Sequence, residues 1–194
     1  MDWLYIQVRK EIGNHVTITN LGIGGETTVN LLDRIERDVK PLQPSMVIVT
    51  IGGNDTVTEM PARLYAERLN EICMIIREYQ AIPVLQTYYC PVYHQGPLGF
   101  QARFEANMQA NRDLSEEMDI ALIDQYAFFE PFYREYPQEY EVLMRDWLHV
   151  NHLGNLVMAQ RAASGLGLPE IPVPEDLRRE FVPLYEKMCA TASQ

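Results

Sequence analysis

Met46 to Ile51, MVIVTI, is an apolar, β-branched run, with Gly52-Gly53-Asn54-Asp55 directly after it. An apolar run of that length with no polar alternation fits a strand buried on both faces, the setting of a parallel sheet. Ile82 to Thr87 repeats the pattern, and Ile120 to Ile123 repeats it in shorter form. Between these runs the apolar spacing changes from two to about 3.6. One predicted helix carries Val29, Leu32, Ile35 and Val39 on one face, after a cap at Thr27 or Thr28. Another starts at Pro61 and buries Leu64, Leu69, Ile72, Ile76 and Tyr79; a third covers Phe104 to Met118. Strands alternating with helices predict an α/β chain with a parallel sheet. In such sheets the working loops follow the carboxyl ends of the strands.

The flanks read less regularly. Trp3, Leu4, Val8 and Ile12 make a rough helical stripe ending at Gly13-Asn14, and Val16 to Thr19 predicts a further strand. Tyr88 to Gly99 is a long loop rich in tyrosine, proline and glycine, and Tyr126 to Arg145 predicts short helical pieces. A helix over Leu156 to Gly165, a linker over Gly165 to Pro174 and a helix over Glu175 to Cys189, bent near Pro183, complete the chain. The expected organisation is one domain over residues 1–166, then a linker and terminal helix over 167–194.

Composition removes several classes. Net charge is −11, from 27 acidic against 16 basic residues, which argues against a nucleic-acid partner. Three scattered cysteines, Cys73, Cys90 and Cys189, form neither a disulfide framework nor a zinc site, so a reducing, cytoplasmic setting is expected. No cluster has metal-ligand spacing, so neither metal nor cofactor is predicted. No run of about 18 apolar residues predicts a membrane span.

Three stretches carry chemistry. Asp146-Trp-Leu-His149 places a carboxylate three residues before an imidazole. There the carboxylate can hold one ring nitrogen while the other takes a proton from a nucleophile. Alone, this is a weak pattern, and a loop histidine beside a capping aspartate is the better reading of it. Asn20 to Thr28, NLGIGGETT, follows the predicted Val16–Thr19 strand; Gly22, Gly24 and Gly25 need signify only a turn. Gly52 to Thr56 follows the Met46–Ile51 strand, and Asp55 there reads as a loop brace.

Together, in this order, the three stretches resemble the blocks of the SGNH (GDSL-type) hydrolase family. The resemblance covers the chain to about Leu166. It implies a three-layer α/β/α, flavodoxin-like fold and carboxylic ester hydrolysis through a serine. Residue by residue, His149 is similar to the general base and Asp146 to the residue that orients it. Gly25 resembles the glycine whose N–H is one oxyanion donor, and Asn54 the asparagine whose amide is another. Gly53, Tyr88, Tyr89 and Tyr93 are candidate pocket residues. His94, His152 and His15 read as surface, helix-start and turn residues.

The family's first block, a Gly-Asp-Ser after the first strand, does not occur in this sequence. The four serines are Ser45, Ser115, Ser164 and Ser193, none placed as a nucleophile. The expectation is therefore a chain truncated at its amino end, with Val16–Thr19 and Met46–Ile51 flanking the position of the absent strand. The substrate implied is a small or medium acyl ester: an acetylated carbohydrate, a lysophospholipid or a thioester. The alternative is a non-catalytic α/β binding module, or an inactive relic of the fold. Oligomeric state is left open.

Overall fold

The structure, a computed structural model, describes residues 2–193. It contains helices α1 (Asp2–Glu11), α2 (Thr28–Asp38), α3 (Gly53–Val57), α4 (Ala62–Glu78) and α5 (Phe100–Met118). Further along come α6 (Gln125–Glu135), α7 (Pro137–Tyr140), α8 (His152–Gly165) and α9 (Glu175–Ala192). Strands are β1 (Met46–Val49), β2 (Ile82–Gln86) and β3 (Ala121–Ile123). The chain divides into two compact units: residues 1–20, 89–96 and 125–194, and residues 21–88 and 97–124.

The second unit is the α/β part. Its sheet has the order β1-β2-β3, parallel throughout, with Met46 opposite Ile82 and Val84 opposite Ala121. Each crossover is a helix, α4 then α5, as parallel pairing requires. Val49, Leu85, Ile35, Leu69, Ile72, Ile76 and Leu114 share one buried core. Of the apolar face expected on the 61–79 helix, Leu69, Ile72 and Ile76 are inaccessible, joined by Tyr65 and Cys73, while Leu64 and Tyr79 are only partly buried. Burial pushes the Cys73 thiol up to about 12, so it behaves as a small apolar side chain.

The first unit is helical and aromatic. Phe129 lies edge-on to Tyr140, Phe181 stacks on Tyr185, and Phe128 tilts against Tyr185, so α9 packs on α6 through rings. Gln160 exchanges both amide hydrogen bonds with the backbone of Ile171, fixing the linker before α9. The helix α9 continues through Pro183.

One expected strand is corrected. Val16–Thr19 has no ladder partner among the described residues and adopts no regular structure. β-branched side chains suit a pleated surface, but a strand exists only through hydrogen bonds to a neighbour. Strand ends also shift: β1 stops at Val49 and β2 at Gln86, short of Ile51 and Thr87.

Candidate active site

The Asp146–His149 stretch forms a tight loop rather than a helical turn. Its ends are closed by an antiparallel bridge between Met144 and Val150. Asn151 ends the loop and caps α8: its side chain accepts from the N–H groups of Leu153 and Gly154 at 2.9 and 3.2 Å. Gly154 allows the close approach, since a Cβ there would lie 2.5 Å from the Leu143 carbonyl oxygen.

Inside the loop, Asp146 Oδ1 accepts from the N–H of Leu148 at 2.9 Å and of His149 at 2.8 Å. The same carboxylate meets His149 Nδ1 at 2.9 and 3.0 Å. A carboxylate only accepts, so the arrangement assigns the proton to Nδ1 and leaves Nε2 as the basic atom. Nε2 makes no hydrogen bond with the described residues, and the side chain is 54% exposed. Desolvation raises the Asp146 pKa, but the Leu148 N–H, the His149 ring and the His149 N–H outweigh it and hold it at about 2.

The second unit holds Gly25 and Asn54. Gly25 sits at φ 88° in a turn, a conformation that glycine adopts without strain. Its N–H makes no hydrogen bond with the described residues. Asn54 is the second residue of the short helix α3 and donates to the Glu26 carbonyl at 3.0 Å. That bond ties Asn54 to the residue after Gly25 and uses one of two amide hydrogens. Two neutral donors are thus held by neighbouring groups: the Gly25 N–H and the second Asn54 N–H.

Several further residues support these loops, all but Asp55 passed over by sequence reasoning. Arg34 is buried and grips Glu26 with Nε–Oε2 2.8 Å and Nη2–Oε2 2.6 Å, while Nη2 also donates to the Leu21 carbonyl at 2.8 Å. The Glu26 hydrogen bond, partly offset by burial, raises the Arg34 pKa. Asp55 is fully buried and accepts from the Thr28 N–H at 3.0 Å and hydroxyl at 2.5 Å. It braces the start of α2, the role expected of it. Beneath, the Tyr65 hydroxyl donates to the Ile51 carbonyl at 3.0 Å, and Asn107 donates to Thr56 Oγ1 at 2.9 Å. A glutamate eight residues before an arginine, or an asparagine fifty residues downstream, carries no local signature.

A family model described as GDSL-like lipase/acylhydrolase matches residues 1–157. The chain belongs to this family. Among curated proteins, the lipoprotein YqeF of Bacillus subtilis is 27% identical over 150 residues, covering 66% of this chain and 61% of its own. An arylesterase of Vibrio mimicus is 28% identical over 81 residues, 42% of this chain and 40% of its own. The chain therefore matches less than two thirds of the length of either relative. Among solved structures, the acetyl xylan esterase AlAXEase superposes with a TM-score of 0.75 at 19% identity, covering 85% of this chain and 89% of its own. The acetylxylan esterase Axe2 of Geobacillus stearothermophilus gives 0.74 at 18% identity, covering 89% and 82%. These similarities establish the SGNH hydrolase fold, with β1, β2 and β3 as its parallel sheet.

The residues read from sequence as resembling the family's base and donors fall in different units: His149 and Asp146 in the first, Gly25 and Asn54 in the second. Of the candidate pocket residues, Gly53 packs on Tyr88, whose ring would lie 3.3 Å from a Cβ at Gly53. Burial and the nearby Asp55 charge push the Tyr88 phenol up to about 12, so it stays protonated. Tyr89 is buried, and Tyr93 donates its hydroxyl to Tyr126 at 2.9 Å. His94 is exposed between Tyr133 and Glu141, and His152 begins α8.

The serines have other places. Ser45 precedes β1, at the end of the sheet opposite the Gly52–Thr56 loop. Ser115 donates to the Ile120 carbonyl at 2.5 Å and Ser193 to the Cys189 carbonyl at 2.8 Å. Ser164 is exposed in the last turn of α8, whose first turn adjoins the histidine loop. Among the described residues no group of three or more His, Cys, Asp or Glu side chains gathers as a metal site. No helix among them is long and apolar enough to cross a membrane.

Proposed function

We propose that this protein is part of a serine ester hydrolase acting on small or medium acyl esters, with His149 as general base and Asp146 orienting it. The observation that carries this reading is the Asp146–His149 Nδ1 hydrogen bond, which leaves an exposed, basic Nε2. The Gly25 N–H and the Asn54 amide would receive the charge that develops on the ester carbonyl oxygen. One such preorganised donor contributes about 3–4 kcal/mol to catalysis. The attacking serine hydroxyl would pass its proton to His149 Nε2 as its oxygen bonds to the acyl carbon. His149 would then return the proton to the departing alcohol, and water would release the acid by the same route.

The nucleophile is assigned to a Gly-Asp-Ser segment preceding this chain, because the four serines here lie at other places. The acetylxylan esterases among the similar folds favour an acetylated carbohydrate over a lysophospholipid or thioester. Hydrolysis of p-nitrophenyl acetate and butyrate tests the reading. The 194-residue chain should be a poor esterase, and a strand ending in Gly-Asp-Ser placed before it should raise turnover strongly. In that longer protein Asp146→Asn should cost on the order of 10³–10⁴-fold in kcat, because the amide favours the wrong tautomer.

A non-catalytic binding module is favoured by the same placement of the serines. Burst kinetics from the 194-residue chain, persisting when all four serines are replaced by alanine, would defeat both the nucleophile assignment and the binding-module reading.

A further inference from the structure

The backbone around His149 leaves little unpaired, and one side chain makes two of the ties. Asp146 holds the N–H groups of Leu148 and His149. The His149 carbonyl accepts from the Arg145 N–H at 2.7 Å, and the Trp147 carbonyl from the Val92 N–H at 2.8 Å. The Leu148 carbonyl and the Val150 N–H remain, on either side of the histidine. Both go to the Tyr89 hydroxyl, which donates to Leu148 at 2.7 Å and accepts from Val150 at 3.3 Å. Tyr89 comes from 59 residues earlier in the chain, is 7% exposed and packs its ring on Phe129 at 6.1 Å. Rotating the Leu148–Val150 backbone would strip both partners at once from a buried hydroxyl.

We infer that Tyr89 is a positioning residue for the general base: its hydroxyl brackets the His149 backbone and so sets the ring orientation that keeps Nδ1 on Asp146. This rests on the reading of His149 as the base, but the bracket itself is measurable without turnover. Phenylalanine keeps the ring packing and removes only the oxygen. In the bracketed loop the imidazole keeps one tautomer and the Val150 amide is protected from exchange.

The test is nuclear magnetic resonance of the full chain as wild type, Tyr89→Phe and Tyr93→Phe. Tyr93 lies in the same segment but spends its hydroxyl on Tyr126, so it controls for loss of a phenol. In Y89F the His149 ring nitrogens should report mixed tautomers, and Val150 should exchange about tenfold faster, the loss of roughly one hydrogen bond. Y93F should match wild type in both of these resonance readouts, the His149 tautomer and the Val150 exchange rate. In the esterase carrying a nucleophile, Y89F should lower kcat about 10–100-fold with little change in KM.

A Y89F chain with wild-type His149 tautomer and wild-type Val150 exchange overturns the inference. Should Y89F not fold, fast exchange of the Val150 amide in the wild type overturns it. If the bracket is intact but His149→Ala leaves ester hydrolysis unchanged, the assignment of the base fails and the bracket stands.

Discussion

Asp146 carries three hydrogen bonds on one carboxylate, and its titration is the direct measure of whether the loop is formed. Its folded pKa is depressed to about 2, against an ordinary aspartate near 3.9. The group binds its proton less readily when folded, so it stabilises the fold above about pH 4, and that contribution fades between about pH 4 and 2. Side-chain carboxyl resonances should show an Asp146 midpoint near 2. A midpoint near 4 would mean that the Leu148, His149 N–H and ring contacts are not made in solution. Gly52 is a second residue whose effect is local and large. It sits at φ 114°, and a Cβ there would fall 2.7 Å from the Tyr65 hydroxyl oxygen. Tyr65 is buried and cannot yield without giving up its bond to Ile51. Gly52→Ala should therefore destabilise the fold by at least about 2 kcal/mol, from backbone strain and overpacking together. Urea unfolding reads this directly, and a loss below 0.5 kcal/mol, roughly the surface-substitution range, would contradict the packing described.

Among the elements, α2 organises the turn that precedes it. Thr27 caps the helix, with Asn30 Oδ1 accepting from its N–H at 3.0 Å. Asp55 holds Thr28 from the opposite loop, and Arg34, two turns on, reaches back to Glu26 and Leu21. The turn bearing Gly25 therefore depends on a side chain nine residues after it. Arg34→Met keeps the aliphatic stem but leaves the half-buried Glu26 carboxylate short of its partner. The expected cost is about 1–3 kcal/mol, kept modest because both groups retain some solvent. Amide exchange over Gly24 to Glu26 should accelerate more than exchange in α4. Uniform acceleration across the second unit would show that Arg34 supports the core and not the turn.

For the whole molecule, the chain passes between the two units at residues 20–21, 88–89, 96–97 and 124–125. Neither unit is a continuous stretch, so unfolding one removes the chain ends that the other must hold. Both tryptophans, Trp3 and Trp147, belong to the first unit. Tryptophan fluorescence therefore follows that unit, while far-ultraviolet circular dichroism follows the helices of both. The two probes should give coincident urea transitions. Separate midpoints would show that the α/β unit and the aromatic helical unit unfold independently.

The sequence by itself determined the elements whose cause is local. Apolar period separated the strands Met46–Val49 and Ile82–Gln86 from the helices between them, because burial on both faces or on one leaves different spacings. Turn glycines and an aspartate three residues before a histidine are likewise readable at short range, but the roles offered for Gly25, Asn54, Asp146 and His149 came from the resemblance of three blocks taken together. Tertiary structure decided what depends on a partner distant in the chain. Val16–Thr19 has strand-forming side chains yet no strand, because a ladder needs a neighbour and none of the described residues supplies one. Tyr89, half of a Tyr-Tyr pair in a long loop, became the bracket of the histidine only when Leu148 and Val150 came within reach of its hydroxyl. Arg34 looked like an ordinary helix cation until folding set it beside Glu26 and the Leu21 carbonyl. Hydrogen bonds between groups tens of residues apart leave no periodic trace, because each end is chosen by geometry that exists only after the chain has closed.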